Sequence, residues 1–305
     1  MKAVVFAYHD VGCMGIRVLR RLGIDVGVVY THDDDPGENH WFGSVRKTCA
    51  DLGVTCTTAN PHLPEEIERI RSIAPDAIFS LYYRDMIKDS VLSLAKHGAV
   101  NLHGSFLPRY RGRAPVNWQI LHGETYGGVT LHYIVGKPDA GDIVDQEKFD
   151  IGPDETGRDV YAKMLPAAER VLTRSAIAVV RGTAPRTAQD EKAATYFGRR
   201  RPSDGEILWR FAAEDVRNLV RAVTHPYPGA YKLANGRQVM VWWTERVDAS
   251  AAGEPGVVRI RGGDVCVICG DGRLLKLARV AIDGREGDAT EFAEILRDGT
   301  QLGGV

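Results

Sequence analysis

The chain has 305 residues, with 39 Lys and Arg against 40 Asp and Glu for a formal charge of -1. Hydrophobic residues make up 44% and charged residues 26%, with 33 Gly and 14 Pro, which excludes disordered, collagen-like and low-complexity classes. The balanced charge gives no overall field for nucleic acid or an anionic membrane, and no run approaches the ~20 apolar residues of a membrane span. Without a basic start and a small-residue cleavage site, a cytoplasmic location is expected.

From Lys2 onward, β-rich runs alternate with helical periodicity, the pattern of a mostly parallel sheet covered by helices. Strands are predicted at 2–8, 25–31, 54–57, 76–81, 98–103 and 127–135, and helices at 14–23, 43–52, 64–74, 84–96 and 115–122. Pro64 followed by Glu65 and Glu66 suits a helical first turn, which has no use for the proline N–H and favours acids. After a helix at about 155–181 comes the polar stretch 183–206, and a domain boundary is placed near 200: 1–200 and 201–305. Beyond a helix at 213–223 the pattern turns to hairpins, at Asn235-Gly236 and Asp271-Gly272, as in a small antiparallel barrel or sandwich.

The five cysteines are odd in number and scattered, so no disulfide framework is expected. Cys266 and Cys269 form a CxxC, but in an alternating run their offset places them on opposite sheet faces. The histidines make no HExxH or similar set, and no catalytic metal is predicted. His132 lies inside a strand and His9 in a loop, which makes both weak candidates. In the first loop, Gly12 and Gly15 lack the GxGxxG spacing of a dinucleotide site, so a tight turn and a close strand–helix contact are expected instead.

The richest segment is AVNLHGSFLPRYRGRAPVNW (99–118). Asn101 and His103 alternate onto one side of a strand at its carboxyl end, where open α/β sheets place ligands. An amide that steadies an oxyanion beside an imidazole that moves a proton suits acyl transfer. Arg109, Arg111 and Arg113 follow in a proline-bearing loop; they suit an anion, or simply a solvated basic turn. Asp139 and Asp142 flank Gly141 between two strand patterns, and spacing alone does not bring either to His103. Tyr82, Tyr83 and Arg84 fall at the same sheet edge, where they line a pocket or merely pack.

NLHGSFLPRYRGRAP followed by DAGD resembles the signature of the folate-dependent formyltransferases. The resemblance extends to VVFAYHDVGCMGI (4–16), THDDDPGENHWFGSV (31–45), YFGRRRPSDGEILW (196–209) and VRAVTHPYPGA (220–230). It implies a Rossmann-like formyltransferase domain with a mostly parallel sheet, followed by a small OB-like β-barrel domain. It carries the catalytic roles to Asn101, His103 and Asp139. Contacts with 10-formyltetrahydrofolate as formyl donor are carried to Asp85, Met86, Ile87, Arg113, Val135, Gly136, Lys137, Pro138 and Asp139. The likeness is strongest to members that formylate UDP-4-amino-4-deoxy-L-arabinose in lipid A modification and polymyxin resistance. A UDP-amino-sugar is thus the expected substrate, with a separate UDP-glucuronic acid decarboxylase as pathway partner. Its diphosphate needs cations, and Arg199, Arg200 and Arg201 are assigned that role, with a solvated run as the alternative. Enzymes acting on dTDP-amino-hexoses and methionyl-tRNA formyltransferase are the rivals, and the acidic run at 31–41 argues against tRNA.

Overall fold

The computed structural model describes residues 1–37 and 39–303. The chain forms two compact units, the first comprising Met1–Pro115, Tyr126–Asp150 and Tyr161–Gly198. The second comprises Val116–Thr125, Ile151–Val160 and the chain from Arg199 onward, so it is not one continuous stretch.

In chain order the elements up to residue 121 are β1 (Lys2–Ala7), α1 (His9–Arg21), β2 (Asp25–Tyr30), α2 (Val45–Asp51), β3 (Cys56–Thr57), α3 (Pro64–Ile73), β4 (Ala77–Leu81), α4 (Asp89–Leu92), β5 (Ala99–His103), β6 (Arg111–Gly112) and α5 (Pro115–Leu121). There follow β7 (Tyr126–Tyr133), β8 (Ile143–Asp150), α6 (Gly157–Arg181) and β9 (Tyr196–Phe197). The seven-stranded sheet has the order β3-β2-β1-β4-β5-β7-β8. Strands β3 to β5 pair parallel, while β7 pairs antiparallel with β5 and with β8. From β1 the chain moves outward through β2 and β3, then returns to β4 on the other side of β1. The order therefore reverses between β1 and β4.

The parallel strands are apolar on both faces because both are covered. Val4 and Phe6 of β1, Val28 and Tyr30 of β2, Ile78 of β4 and Ala99 of β5 pack with Ile70 of α3 and with Ile87 and Val91. Each such large side chain contributes about 1.5–3 kcal/mol by leaving water. On the other face, a Cβ on Gly15 would lie 2.4 Å from Leu81 Cδ1, and one on Gly12 would lie 3.0 Å from Ala7 Cβ. These glycines sit inside α1 and permit close helix–strand packing; the tight turn falls at His9, with φ 65°. Helix α1 accordingly begins five residues before the predicted start.

The predicted helix at 84–96 shrinks to Asp89–Leu92. Ile87 and Val91 keep their helical spacing into the core, but tertiary bonds claim the residues before them. Arg84 N donates to His32 Nε2 (3.0 Å), and Arg84 O accepts from Arg113 Nη2 (2.8 Å). Residues 84–86 are thus an exposed loop at the carboxyl edge of β4.

The second unit holds α7 (Ala213–Val223) and the antiparallel strands β10 (Ala230–Ala234), β11 (Arg237–Ser250), β12 (Val258–Arg261), β13 (Asp264–Ile268), β14 (Arg273–Ile282) and β15 (Arg285–Asp288). The order is β10-β11-β14-β13-β12, with β15 on β14. The β10–β11 turn has both Asn235 and Gly236 left-handed, as the two-residue hairpin requires. The two sheet edges are joined by residues 299–303, where Thr300 O accepts from Val258 N and Gly303 N donates to Leu233 O, both at 2.8 Å. The sheet therefore closes toward a barrel. Among the described residues no helix is long and apolar enough to cross a membrane, and no group of three or more His, Cys, Asp or Glu is placed to hold a metal.

Candidate active site

Ala7 of β1, Leu81 of β4 and Leu102 of β5 lie in register, so the residues that follow them emerge along one sheet edge. Asn101 and His103 point to the same side of β5. The antiparallel partner β7 sets His132 opposite Asn101 and Thr130 opposite His103. Thr130 is fully buried and fixes the loop after β5: its hydroxyl donates to Ser105 O (2.7 Å) and accepts from Leu107 N (3.1 Å). Ser105 Oγ donates to Arg109 O at 2.7 Å, and the His103 Nε2–H donates to Tyr110 O at 2.8 Å. The motif loop is thus rigid before any ligand arrives.

Asp139 comes to this loop from the β7–β8 connection in a left-handed conformation, φ 52°, which a short polar residue tolerates. The neighbouring Gly141 passes so near β7 that a Cβ would lie 1.9 Å from Tyr133 O. Asp139 Oδ2 accepts the Gly112 N–H at 2.8 Å and lies 3.7 Å from His103 Nδ1. Asp139 Oδ1 faces Asn101 Nδ2 and His132 Nε2, each at 3.3 Å. The other nitrogen of His132, Nδ1, donates to Tyr133 O at 2.9 Å, while Nε2 accepts from Asn101 Nδ2 at 3.2 Å. One carboxylate therefore sits between two imidazoles, each tied back to a carbonyl by its far nitrogen. Burial alone would raise the Asp139 carboxyl, but the positive charge of His103 or His132 whenever either is protonated, with the Gly112 N–H, holds it well below the usual aspartate range.

The structure brings Asn101, His103 and Asp139 together and adds His132, which the sequence reading set aside. The available signal was its antiparallel register against Asn101, readable only once β7 is paired with β5. The carbonyl of Asp142 accepts from Tyr133 N at 2.9 Å, and the residue that reaches the cluster is Asp139. Arg111 is neither a solvated turn residue nor an exposed anion ligand. It is fully buried, donating to Gln189 Oε1 (2.7 and 3.1 Å), to Tyr196 OH (2.6 Å) and to Glu191 Oε1 (2.6 Å). Its role is to staple the motif loop to residues 189–196.

Of the residues carried over as donor contacts, Asp85, Met86 and Ile87 follow β4, and Val135 to Pro138 follow β7, which runs antiparallel to β5. Asp85, Met86, Arg113, Val135, Gly136, Lys137 and Pro138 are exposed, and Ile87 is buried in the core. Met86 and Val135 are large apolar side chains left 58% and 44% exposed. Lys137 turns its ammonium to Glu191 at 2.9 Å. In the acidic run, Asp33 pairs with Arg46 (2.8 Å), Asp34 accepts from Tyr8 OH (2.9 Å) and Asp35 accepts from Gly37 N (2.8 Å); Glu38 lies outside the described residues. In the second unit Arg199 and Arg201 are exposed, whereas Arg200 lies 5.0 Å over the Trp118 ring and donates to Asp204 O at 2.7 Å.

The fold is shared with solved structures. One is the N-formyltransferase from Helicobacter canadensis in complex with folinic acid and dTDP-3-aminofucose, at TM-score 0.69 and 19% identity over 91% of this chain and 98% of that one. Another is WlaRD, a sugar 3N-formyl transferase solved with dTDP and 5-N-formyl-THF, at TM-score 0.70 and 20% identity over 93% and 98%. Methionyl-tRNA formyltransferase from Clostridium thermocellum follows at TM-score 0.54 and 17% identity over 93% and 100%. The sequence matches Formyl transferase over residues 19–176 and Formyl transferase, C-terminal domain, over 200–297. With its rigid signature loop and an Asp139 held ionised between two imidazoles, the chain belongs to the formyl transferase family.

Proposed function

We propose that the chain transfers the formyl group of 10-formyltetrahydrofolate to the amino group of a nucleotide-linked amino sugar, UDP-4-amino-4-deoxy-L-arabinose. The observation that carries the chemistry is the meeting of Asn101, His103 and Asp139 within 3.7 Å contacts. The donor supplies a formyl carbon at the oxidation level of an acid, so the protein has only to move protons and steady charge. The attacking amine must lose a proton. His103 Nε2 already donates to Tyr110 O, so the nitrogen that takes the proton is Nδ1, and the imidazolium so formed faces the Asp139 carboxylate. As the carbon–nitrogen bond forms, the formyl oxygen becomes negative, and an Asn101 N–H is the donor suited to it, worth about 3 kcal/mol. Both Asn101 protons are engaged at 3.2 and 3.3 Å, long for hydrogen bonds, so one is readily redirected. The leaving folate nitrogen recovers the proton from His103.

The exposed apolar Met86 and Val135 suit a flat pterin, and the exposed loops 84–86 and 135–138 supply the rest of the donor surface. The amino-arabinose acceptor, with its place in lipid A modification and polymyxin resistance, follows the resemblance to the formyltransferase domain of the bifunctional protein ArnA. Arg199 and Arg201 are the exposed cations we assign to the diphosphate; Arg200 is already committed to Trp118 and Asp204. A dTDP-amino-hexose is the second reading, favoured by the two sugar formyltransferase structures that match nearly the whole chain. The test is mass spectrometry of the purified protein with 10-formyltetrahydrofolate and, in parallel, the UDP-amino-arabinose, a dTDP-amino-hexose and charged initiator tRNA. Formylation of the UDP-sugar alone supports the proposal, and product on tRNA alone refutes it.

A further inference from the structure

The sheet reverses its strand order between β1 and β4, and ligands of open α/β sheets bind outside the carboxyl ends of the strands at such a point. In this protein that place is occupied by His9, which opens α1 two residues after the end of β1, and by Tyr82, which follows β4, and both are left-handed, with φ 65° and 64°. Non-glycine residues held this way cost about 1–3 kcal/mol each and cluster where a fold positions groups for a ligand.

Around His9 the structure builds an aromatic wall. The imidazole stacks on Phe42 with centroids 3.8 Å apart, meets Trp41 edge-on at 4.9 Å and lies 6.1 Å from Tyr82. Its Nδ1 shares a 2.5 Å hydrogen bond with Tyr161 OH. Asp10 Oδ1 accepts from Gly43 N at 2.8 Å, which pins the loop bearing Trp41 and Phe42. His9 is largely buried, its side chain 11% exposed, and its Nδ1 is committed to Tyr161 and lies 3.5 Å from Asp10 Oδ2, so Nε2 is the ring nitrogen left for a ligand. Burial, reinforced by the charge of Arg84, lowers its pKa to about 3, so it is a neutral polar group at working pH. The wall is continuous with the catalytic cluster: a Cβ on Gly104, next to His103, would lie 3.1 Å from Tyr82 OH. Two strand spacings, roughly 10 Å, separate the ends of β1 and β5.

We infer that His9 and Tyr82, walled by Phe42 and Trp41, form the subsite for the acceptor's sugar ring, with His9 Nε2 hydrogen-bonded to a ring hydroxyl. Aromatic faces with one neutral polar group suit a pyranose, which offers C–H faces and hydroxyls. His9 follows β1 and Tyr82 follows β4, the strand that lies between β1 and the cluster on β5, so a sugar ring held there stands beside the reacting groups. This inference rests on the amino-sugar reading above.

The test is steady-state kinetics of the native protein, His9→Phe and His9→Gln with 10-formyltetrahydrofolate and UDP-4-amino-4-deoxy-L-arabinose. Losing one buried hydrogen bond raises the acceptor KM roughly tenfold in His9→Phe while the donor KM stays within about twofold. His9→Gln, whose amide reaches the Nε2 position, restores most of the loss. An unchanged acceptor KM, or a rise in donor KM instead, overturns the assignment. Should His9→Phe fail to fold, the Nε2 resonance of 15N-imidazole-labelled native protein decides: it shifts when UDP-amino-arabinose is added, and a static resonance overturns the subsite. Native protein that formylates no amino-sugar nucleotide refutes the proposed function itself, which separates that failure from failure of the subsite.

Discussion

Replacing Asp139 with Asn leaves shape nearly unchanged and removes one charge. The carboxylate stands 3.7 Å from His103 Nδ1 with its side chain only 13% exposed. At an effective dielectric near 20, opposite charges about 4 Å apart attract by about 4 kcal/mol. That attraction is absent while His103 is neutral and present once it has taken the amine proton, so it stabilises the transition state selectively. The variant amide must keep its oxygen toward the Gly112 N–H, which turns its NH2 against the Asn101 NH2. Together these predict a fall in kcat of about three powers of ten with the donor Kd within a few-fold of native. Single-turnover formylation measured beside donor binding by fluorescence separates the two. The linkage has a definite sign. A carboxyl whose folded pKa is depressed contributes stability fully above its unfolded value near 4, and loses it as pH falls through the lower folded value. The stability gap between native and variant, from urea unfolding, should therefore narrow below about pH 4. A variant within tenfold of native kcat would refute the imidazolium–carboxylate account.

His132→Phe removes the acceptor that aims the Asn101 amide at 3.2 Å; kcat should drop about tenfold with both KM values little changed, and His132→Gln should recover part of it. Equal loss in both variants would mean that the imidazole matters in some other way. Gly112→Ala places a Cβ 2.2 Å from Phe197 O at φ 96°, and should lower the urea midpoint by the equivalent of about 2–3 kcal/mol.

The alternation of β-rich and helical runs was readable because β1, β2, β4 and β5 are buried on both faces. Asn101 and His103 were readable as a pair because a strand repeats every two residues. What one-dimensional periodicity lacks is pairing. His132 looked like an ordinary strand residue until antiparallel β7 set it against Asn101. The helix expected at 84–96 failed because its apolar spacing is real but Arg84 spends its backbone on His32 and Arg113. Arg111 was invisible as a core residue since its partners, Gln189, Glu191 and Tyr196, lie some 80 positions on. His9 escaped notice for a related reason: its importance comes from the strand order, which only the folded sheet displays.

The Arg111 staple also determines where the catalytic unit can be cut. A piece of chain limited to the matched stretch 19–176 would lack β1, the central strand on which β4 pairs, and the 189–196 segment that satisfies a buried guanidinium. An uncompensated buried charge costs about 3–5 kcal/mol, comparable to the whole stability of a small domain. The signature loop is short in sequence, but its rigidity is borrowed from both ends of a stretch nearly 200 residues long. Grafting the motif onto another scaffold would transfer the reactive side chains without what holds them still.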